Sequence, residues 1–300
     1  MLTVRNIIMP IHVPEGKGFF NVAQKHMMRL GAFELRMLAD DPYRYLVLYD
    51  VPMERIEETV QEVRSALRWA SLRFGFGIRT SDSPVRHEEG LIDGQFPTTF
   101  NGPVRHPMRV SGSLRSEEGD TLLFYYLGEG HKILNDPARK MDPILDLALQ
   151  VFASVDFEVT DNAKFLALTS IIEILAKPLP RPSICTVMID DMLGRLEQQL
   201  AAADDEARQA LTDMKKSAVH WKKESIRSSV RRLGIRVATA VGSEDPVAAG
   251  SLAVKLYDKR STLTHEAKPV SGADLLALHQ LVRKAIAVEA GRADVFATKI

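Results

Sequence analysis

The hydrophobic pattern of the chain changes period twice. Phe33-Glu34-Leu35-Arg36-Met37 alternates apolar with polar, and residues 44–49 concentrate Tyr, Leu and Val. Both stretches predict strands, with a turn at Asp40-Asp41-Pro42 between them. Residues 2–13 predict another strand, ending at the cluster Pro10, Pro14, Gly16 and Gly18, and residues 21–30 predict a short helix. After Pro52 the spacing becomes helical: Ile56, Val60, Val63, Leu67, Ala70 and Phe74 share one side and Gly75 ends the run. Residues 76–120 are rich in Gly, Pro, Ser and His and predict loops with short strands. The best strand candidates there are residues 108–114 and, just beyond, 121–127.

The second half is helical almost throughout. Residues 143–153 begin with Pro143, favoured in a first helical turn. Residues 155–161 form a boundary, and from Asp161, a natural N-cap, Phe165, Leu168, Ile171, Ile172 and Leu175 make an apolar stripe that stops at Pro178. The Lys177-Pro-Leu-Pro-Arg-Pro182 segment is a hard break. Further helices are expected over residues 184–202, 205–217 and 219–240, then 251–265, and finally 273–290, where Leu275, Leu278, Val282 and Ile286 form a stripe that ends at Glu289. The predicted class is α+β: a mixed α/β domain of unassigned role over residues 1–155, then an all-α up-and-down helical bundle over residues 156–300.

Composition narrows the chemistry. Lys plus Arg and Asp plus Glu are equal at 39 each, so a nucleic-acid surface would have to come from local clustering. One cysteine, Cys185, excludes an intrachain disulfide and fits a reducing compartment. The start of the chain has no long apolar signal region, and no apolar run reaches membrane-spanning length. A soluble cytoplasmic protein without a membrane partner is the expectation. His87, His106 and His131 lack metal-ligand spacing, and Gly75-Phe-Gly77 and Gly128-Glu-Gly130 are not phosphate loops, so no metal and no cofactor is expected.

Local clustering does occur. Eight bases (Lys215, Lys216, Lys222, Lys223, Arg227, Arg231, Arg232, Arg236) face two acids (Asp213, Glu224) in one stretch. Val219, Ile226, Val230, Leu233 and Val237 are expected to point inward there, and His220, Lys223, Arg227 and Arg231 to another side. Such a run is either a solvated face or a surface that tracks phosphates, with Lys223, Arg227 and Arg231 as candidate RNA contacts. In Ser251-Leu-Ala-Val-Lys-Leu-Tyr-Asp-Lys-Arg-Ser-Thr-Leu-Thr-His265, a guanidinium and an imidazole are expected roughly a turn apart on the same side, a pair able to do acid-base work on a phosphate.

Three segments occur in order over residues 165–268: FLALTSIIEIL, ESIRSSVRRL and LYDKRSTLTHEAK. Together they resemble the HEPN superfamily and, within it, the ApeA-like HEPN domains, which carry an LY-x-x-RS-x-x-x-H segment. The resemblance covers only the C-terminal half. It implies a helical bundle that often forms homodimers and, in many members, cuts RNA without metal, as toxins or antiphage effectors with an antitoxin or regulatory protein as partner. It also implies roles: Arg260 would hold the scissile phosphate and His265 would move the protons. Only RNA offers the internal 2′-hydroxyl nucleophile.

The resemblance also points to a polar residue on the first bundle helix, matched by Glu173. That side chain either faces water or is a buried carboxylate that orients Arg260. Tyr257 reads as core-lining, while Ser261 and Thr264 either donate to a phosphate or cap the helix end. Many relatives follow the histidine with a small residue where this chain has Glu266, a carboxylate that could raise the imidazole pKa or repel RNA. Three readings stay open: the endoribonuclease, a non-catalytic nucleotide- or RNA-binding or dimerisation module with a regulatory first half, and an Arg/His pair that only staples the bundle.

Overall fold

Alternation gives the first strand two apolar faces. The computed structural model describes residues 4–14, 27–30, 33–40, 43–87, 96–100, 118–134, 142–266 and 268–296. In it β1 (Val4–Ile11) places Ile7, Met9 and Ile11 in one core cluster and Ile8 in a second, with Tyr45 and Val47. With β2 (Met27–Leu30), β3 (Phe33–Asp40), β4 (Tyr43–Pro52) and β5 (Thr98–Phe100) it forms an antiparallel sheet in the order β2-β3-β4-β1-β5. The expected turn residues Asp41 and Pro42, the strand expected over residues 108–114, and His106 lie outside the described residues.

Two sequence expectations in this half are corrected. The helix expected over residues 21–30 does not end as a helix, because Met27–Leu30 is a strand laddered against β3. The strand expected over residues 121–127 is instead part of α2 (Glu118–Leu134). Its Tyr- and Phe-rich sequence favours a strand locally. Yet Leu123 and Leu127, four apart and fully buried, join the core of α1 (Ile56–Phe74), and Gly130, three further on, lies so close that an added Cβ would sit 2.9 Å from the Trp69 Cβ. Helical burial overrides strand propensity here.

The stripe of α1 is buried as its spacing predicts, against Ile7, Met9, Leu46 and Leu48 of the sheet. Gly75, at φ 77°, closes that helix in the left-handed conformation. The chain then turns sharply. Ser71 Oγ accepts from the Ile78 N–H at 2.8 Å, and the Gly77 N–H donates to Asp156 Oδ2 at 2.8 Å, just beyond α3 (Pro143–Val155). A Cβ on Gly77 would stand 2.3 Å from the Ala153 carbonyl oxygen, so only glycine fits there.

The chain divides into two compact units, Met1–Leu168 and Thr169–Ile300. The division falls inside α4 (Asp161–Leu175) rather than at residue 155. Phe165, Leu168, Ile171, Ile172 and Leu175 are all buried, as the stripe predicts. Thr160, not Asp161, is the cap: its Oγ1 accepts from the Ala163 N–H at 3.2 Å.

The second unit continues with α5 (Ser183–Ala202), α6 (Asp205–His220), α7 (Ile226–Ala240), α8 (Pro246–Glu266) and α9 (Gly272–Glu289). The single helix expected over residues 219–240 is in fact broken. Val219, half exposed rather than inward, belongs to α6, and Ser225 caps α7 by accepting from the Ser228 N–H at 3.2 Å. The break is stabilised from outside. The Arg181 N–H donates to the Lys222 carbonyl at 2.9 Å and the Glu224 N–H to the Leu179 carbonyl at 2.9 Å, so the proline-rich segment takes up the backbone groups that a continuous helix would have paired. No described helix is long and apolar enough to cross a membrane.

Helices α7 and α8 run antiparallel in close contact, Arg227 bonding Asp258 near one end and Gly234 facing Gly250 and Ala253. A Cβ on Gly234 would lie 2.8 Å from the Ala253 Cβ. One on Gly250 would lie 2.6 Å from Ile235 Cγ1 and 2.9 Å from the Arg231 carbonyl oxygen. Gly250→Ala is therefore expected to lower stability by about 1–3 kcal/mol, the range for overpacking a tight contact, as measured by urea denaturation.

Lys259 of α8 pairs with Asp274 in the first turn of α9, where Ser271 Oγ donates to the same carboxylate at 2.6 Å. The ammonium first, then the hydroxyl, hold the Asp274 carboxyl below its ordinary 3.8. A depressed carboxyl contributes stability that is present above pH 3.8 and lost as pH falls through the folded value. Asp274→Asn should therefore flatten the acid limb of the stability curve below that pH, read from urea midpoints.

Candidate functional site

The rotation of α8 is fixed by its buried residues Ala253, Val254, Leu256 and Leu263. That leaves Tyr257 and Arg260, three apart and on one flank, partly exposed beside Glu173 of α4. The Tyr257 hydroxyl donates to Glu173 Oε1 at 2.8 Å, and Arg260 Nη1 donates to the same oxygen at 2.6 Å. Of the two alternatives for Glu173, the geometry is that of an orienting carboxylate: its side chain is 30% exposed and bound to both partners, while that of Arg260 remains 41% exposed.

Tyr257, read as core-lining from sequence, thus has a polar role that the reading missed. Its spacing from Arg260 was the available signal. Burial first, then the bond to Glu173, pushes its hydroxyl pKa above the ordinary 10, so it remains a neutral donor at neutral pH. Arg260 forms no ion pair with any other acid among the described residues. Part of its guanidinium fork is therefore uncommitted.

His265 lies elsewhere on the helix. Because α8 is continuous through Glu266, five residues carry the chain about 7.5 Å along the axis and leave the two side chains about 140° apart. The expectation that Arg260 and His265 share a side is corrected by this rotation. His265 is exposed and makes no hydrogen bond among the described residues. Thr264 Oγ1 donates back to the Arg260 carbonyl at 2.9 Å, a bond within the helix, and Glu266 pairs with Lys268 at 2.5 Å.

The basic run is largely neutralised by tertiary contacts. Lys215 pairs with Glu197 at 2.7 Å, Lys222 with Asp190 at 2.5 Å, Arg227 with Asp258 at 2.7 Å, Arg232 with Glu224 at 2.5 Å, Lys216 with Asp213 at 3.5 Å, and Arg236 with Glu289. Four of these acids come from outside the run, so of the eight bases only Lys223 and Arg231 are exposed without an acidic partner among the described residues. Two other histidines have side-chain partners: His131 Nε2 lies 3.4 Å from Glu62, and His87 Nδ1 lies 3.3 Å from Thr99 Oγ1. Among the described residues no three or more His, Cys, Asp or Glu are arranged to hold a metal ion.

Comparison of this chain with protein-family models, with curated proteins and with solved structures finds no match.

The shared oxygen makes a coupling prediction. Tyr257→Phe should cost about 1 kcal/mol in the otherwise unchanged chain and close to nothing when Glu173→Ala is already present. A double-mutant cycle in urea denaturation measures this directly.

Proposed function

We propose that the helical unit is a metal-independent endoribonuclease of HEPN type, acting as a toxin or antiphage effector, with Arg260 binding the scissile phosphate and His265 as general acid and base. The observation that carries the reading is the clamp at Glu173. One arm of the Arg260 guanidinium is held by the carboxylate while the rest stays accessible, which is how a phosphate-gripping arginine is oriented. Glu173 is then a positioning residue, and Tyr257 supports it.

One helix keeps Arg260 and His265 on different faces, so the chemistry requires two copies, whose meeting supplies the guanidinium and imidazole groups of one cleft. The attacking 2′-oxygen forms a bond to phosphorus while one imidazole accepts its proton. The bond from phosphorus to the 5′-oxygen breaks as the other imidazole donates a proton, leaving a 2′,3′-cyclic phosphate and a free 5′-hydroxyl. Ile184, Val187 and Met188 support self-association, since they stand exposed at helical spacing on α5. An antitoxin or regulatory protein would act by covering the cleft.

A second reading has its own support. The commitment of Arg260 to Glu173 suits a non-catalytic nucleotide- or RNA-binding or dimerisation module governed by the first unit. One experiment separates the two. The purified full chain, in EDTA, is expected to cut mixed RNA into products with cyclic phosphate ends, and His265→Ala and Arg260→Ala should each lower the rate by about 100-fold or more. Equal cleavage by the parent chain and His265→Ala would remove the enzyme and leave the module. Sedimentation of the chain and of Met188→Glu tests the dimer, expected to weaken in the variant.

A further inference from the structure

The first unit contains a cavity of about 310 Å³ that the sequence did not signal. Its wall is assembled by the clamped turn after α1. The His12 N–H donates to the Arg79 carbonyl at 2.7 Å and the Arg79 N–H to the His12 carbonyl at 3.1 Å, so the turn is stitched to the end of β1. On the other sides stand Arg64 and Arg68 of α1 and Gln150 and Ser154 of α3.

The charges around this cavity do not balance. Arg68 is neutralised by Asp146 at 2.9 Å and Asp82 at 3.3 Å. Arg64 is different. Only 2% exposed, it gives one nitrogen, Nη2, to the Ser81 and Ser83 carbonyls at 2.6 Å each, and it forms no ion pair with any acid among the described residues. Its buried Nε has no hydrogen-bond partner, and neither has the buried Thr80 Oγ1 on the same wall. Asp82, itself on the cavity wall, and Glu57 attract the Arg64 charge at longer range without a hydrogen bond, so a buried guanidinium keeps an unused donor that would favour an anion in the cavity.

Arg79, exposed and without an ion pair among the described residues, brings a second guanidinium, stacked 4.0 Å above the Phe157 ring. His12 adds no charge at neutral pH, because desolvation first and the Arg79 charge second push its pKa below the ordinary 6.5. The lining holds Arg64, Arg68 and Arg79 against the single carboxylate of Asp82, and this cationic excess with a hydroxyl suits the charge and the acceptor oxygens of a phosphomonoester, which carries about −1.5 to −2 at pH 7. The volume exceeds what a bare phosphate needs and stands at the small end for organic ligands. Leu67, Ile78 and Ala153 supply apolar wall and Gln150 an amide, which suits a sugar or nucleoside attached to the phosphate.

We propose that this cavity is a binding site for a small phosphomonoester of sugar-phosphate or nucleoside-monophosphate size, held through Arg64, Arg79 and Thr80. The site belongs to the first unit and does not depend on the ribonuclease reading.

Calorimetric titration of the full chain tests it, with inorganic phosphate, ribose 5-phosphate, adenosine 5′-monophosphate and adenosine as probes at constant ionic strength. The expected result is that phosphate binds weakly, that at least one ester binds about tenfold tighter or better, and that adenosine does not bind. Arg79→Ala, an exposed position, should weaken the ester by about tenfold, and Arg64→Lys, which keeps the charge but loses the fork, should weaken it by at least as much. Absence of phosphate binding, esters no tighter than phosphate, or Arg79→Ala binding like the parent chain would each overturn the proposal. If Arg64→Lys fails to fold, the Arg79 variant still decides.

Discussion

Close approach of α7 to α8 governs what the helical unit can present. Gly234 and Gly250 bring the two backbones together where a single methyl would collide with Ala253 or with the Arg231 carbonyl. Once that distance is set, the buried residues of α8 have one rotation available. Tyr257 and Arg260 then meet Glu173, Asp258 meets Arg227, and Lys259 meets Asp274. A contact made of small residues, backbone and one packed Ile235 side chain leaves little room to absorb a change. The polar geometry of α8 is therefore inherited from apolar packing on its opposite side.

Cations are paired with acids in both units, and Arg64 stands apart from that pattern. In the second, the basic run is met by acids from other helices, so most of the guanidinium and ammonium groups end in exposed or half-exposed pairs, each of which contributes little to stability. In the first, Arg68 meets Asp146 and Asp82, whereas Arg64 is hydrogen-bonded only to carbonyl oxygens, with Asp82 and Glu57 acting on it at longer range. Carbonyl dipoles solvate a guanidinium but do not neutralise it. That contrast directs attention to the cavity beside Arg64, and the partial freedom of Arg260 directs it to the end of α8.

Much of the architecture was legible in the chain. The stripes of α1 and α4 and the strands β1, β3 and β4 emerged where predicted, the stripes because burial on one face of a helix leaves a periodic trace whatever the partner is. The errors have one origin. Met27–Leu30 became a strand, Leu123 and Leu127 became helical core, and the helix expected over residues 219–240 was cut at Ser225. In each case the deciding groups lie outside the segment itself: the neighbouring β3 for the first, and more distant Ala66 and Trp69 for the second and Leu179 and Arg181 for the third.

By itself, then, the sequence determined the α+β class, the helical second half, and the presence of Arg260, His265 and Glu173 as a set worth examining. Tertiary structure alone decided that Glu173 binds Arg260 through an oxygen shared with Tyr257, that six of eight clustered bases are paired, and that Arg64 borders a cavity without an ion pair of its own among the described residues. The reason is one of range. Periodicity and capping act over a few residues and leave their mark locally, whereas the partner of a charge is chosen by which distant helix brings a carboxylate within about 4 Å, and no local pattern encodes that choice.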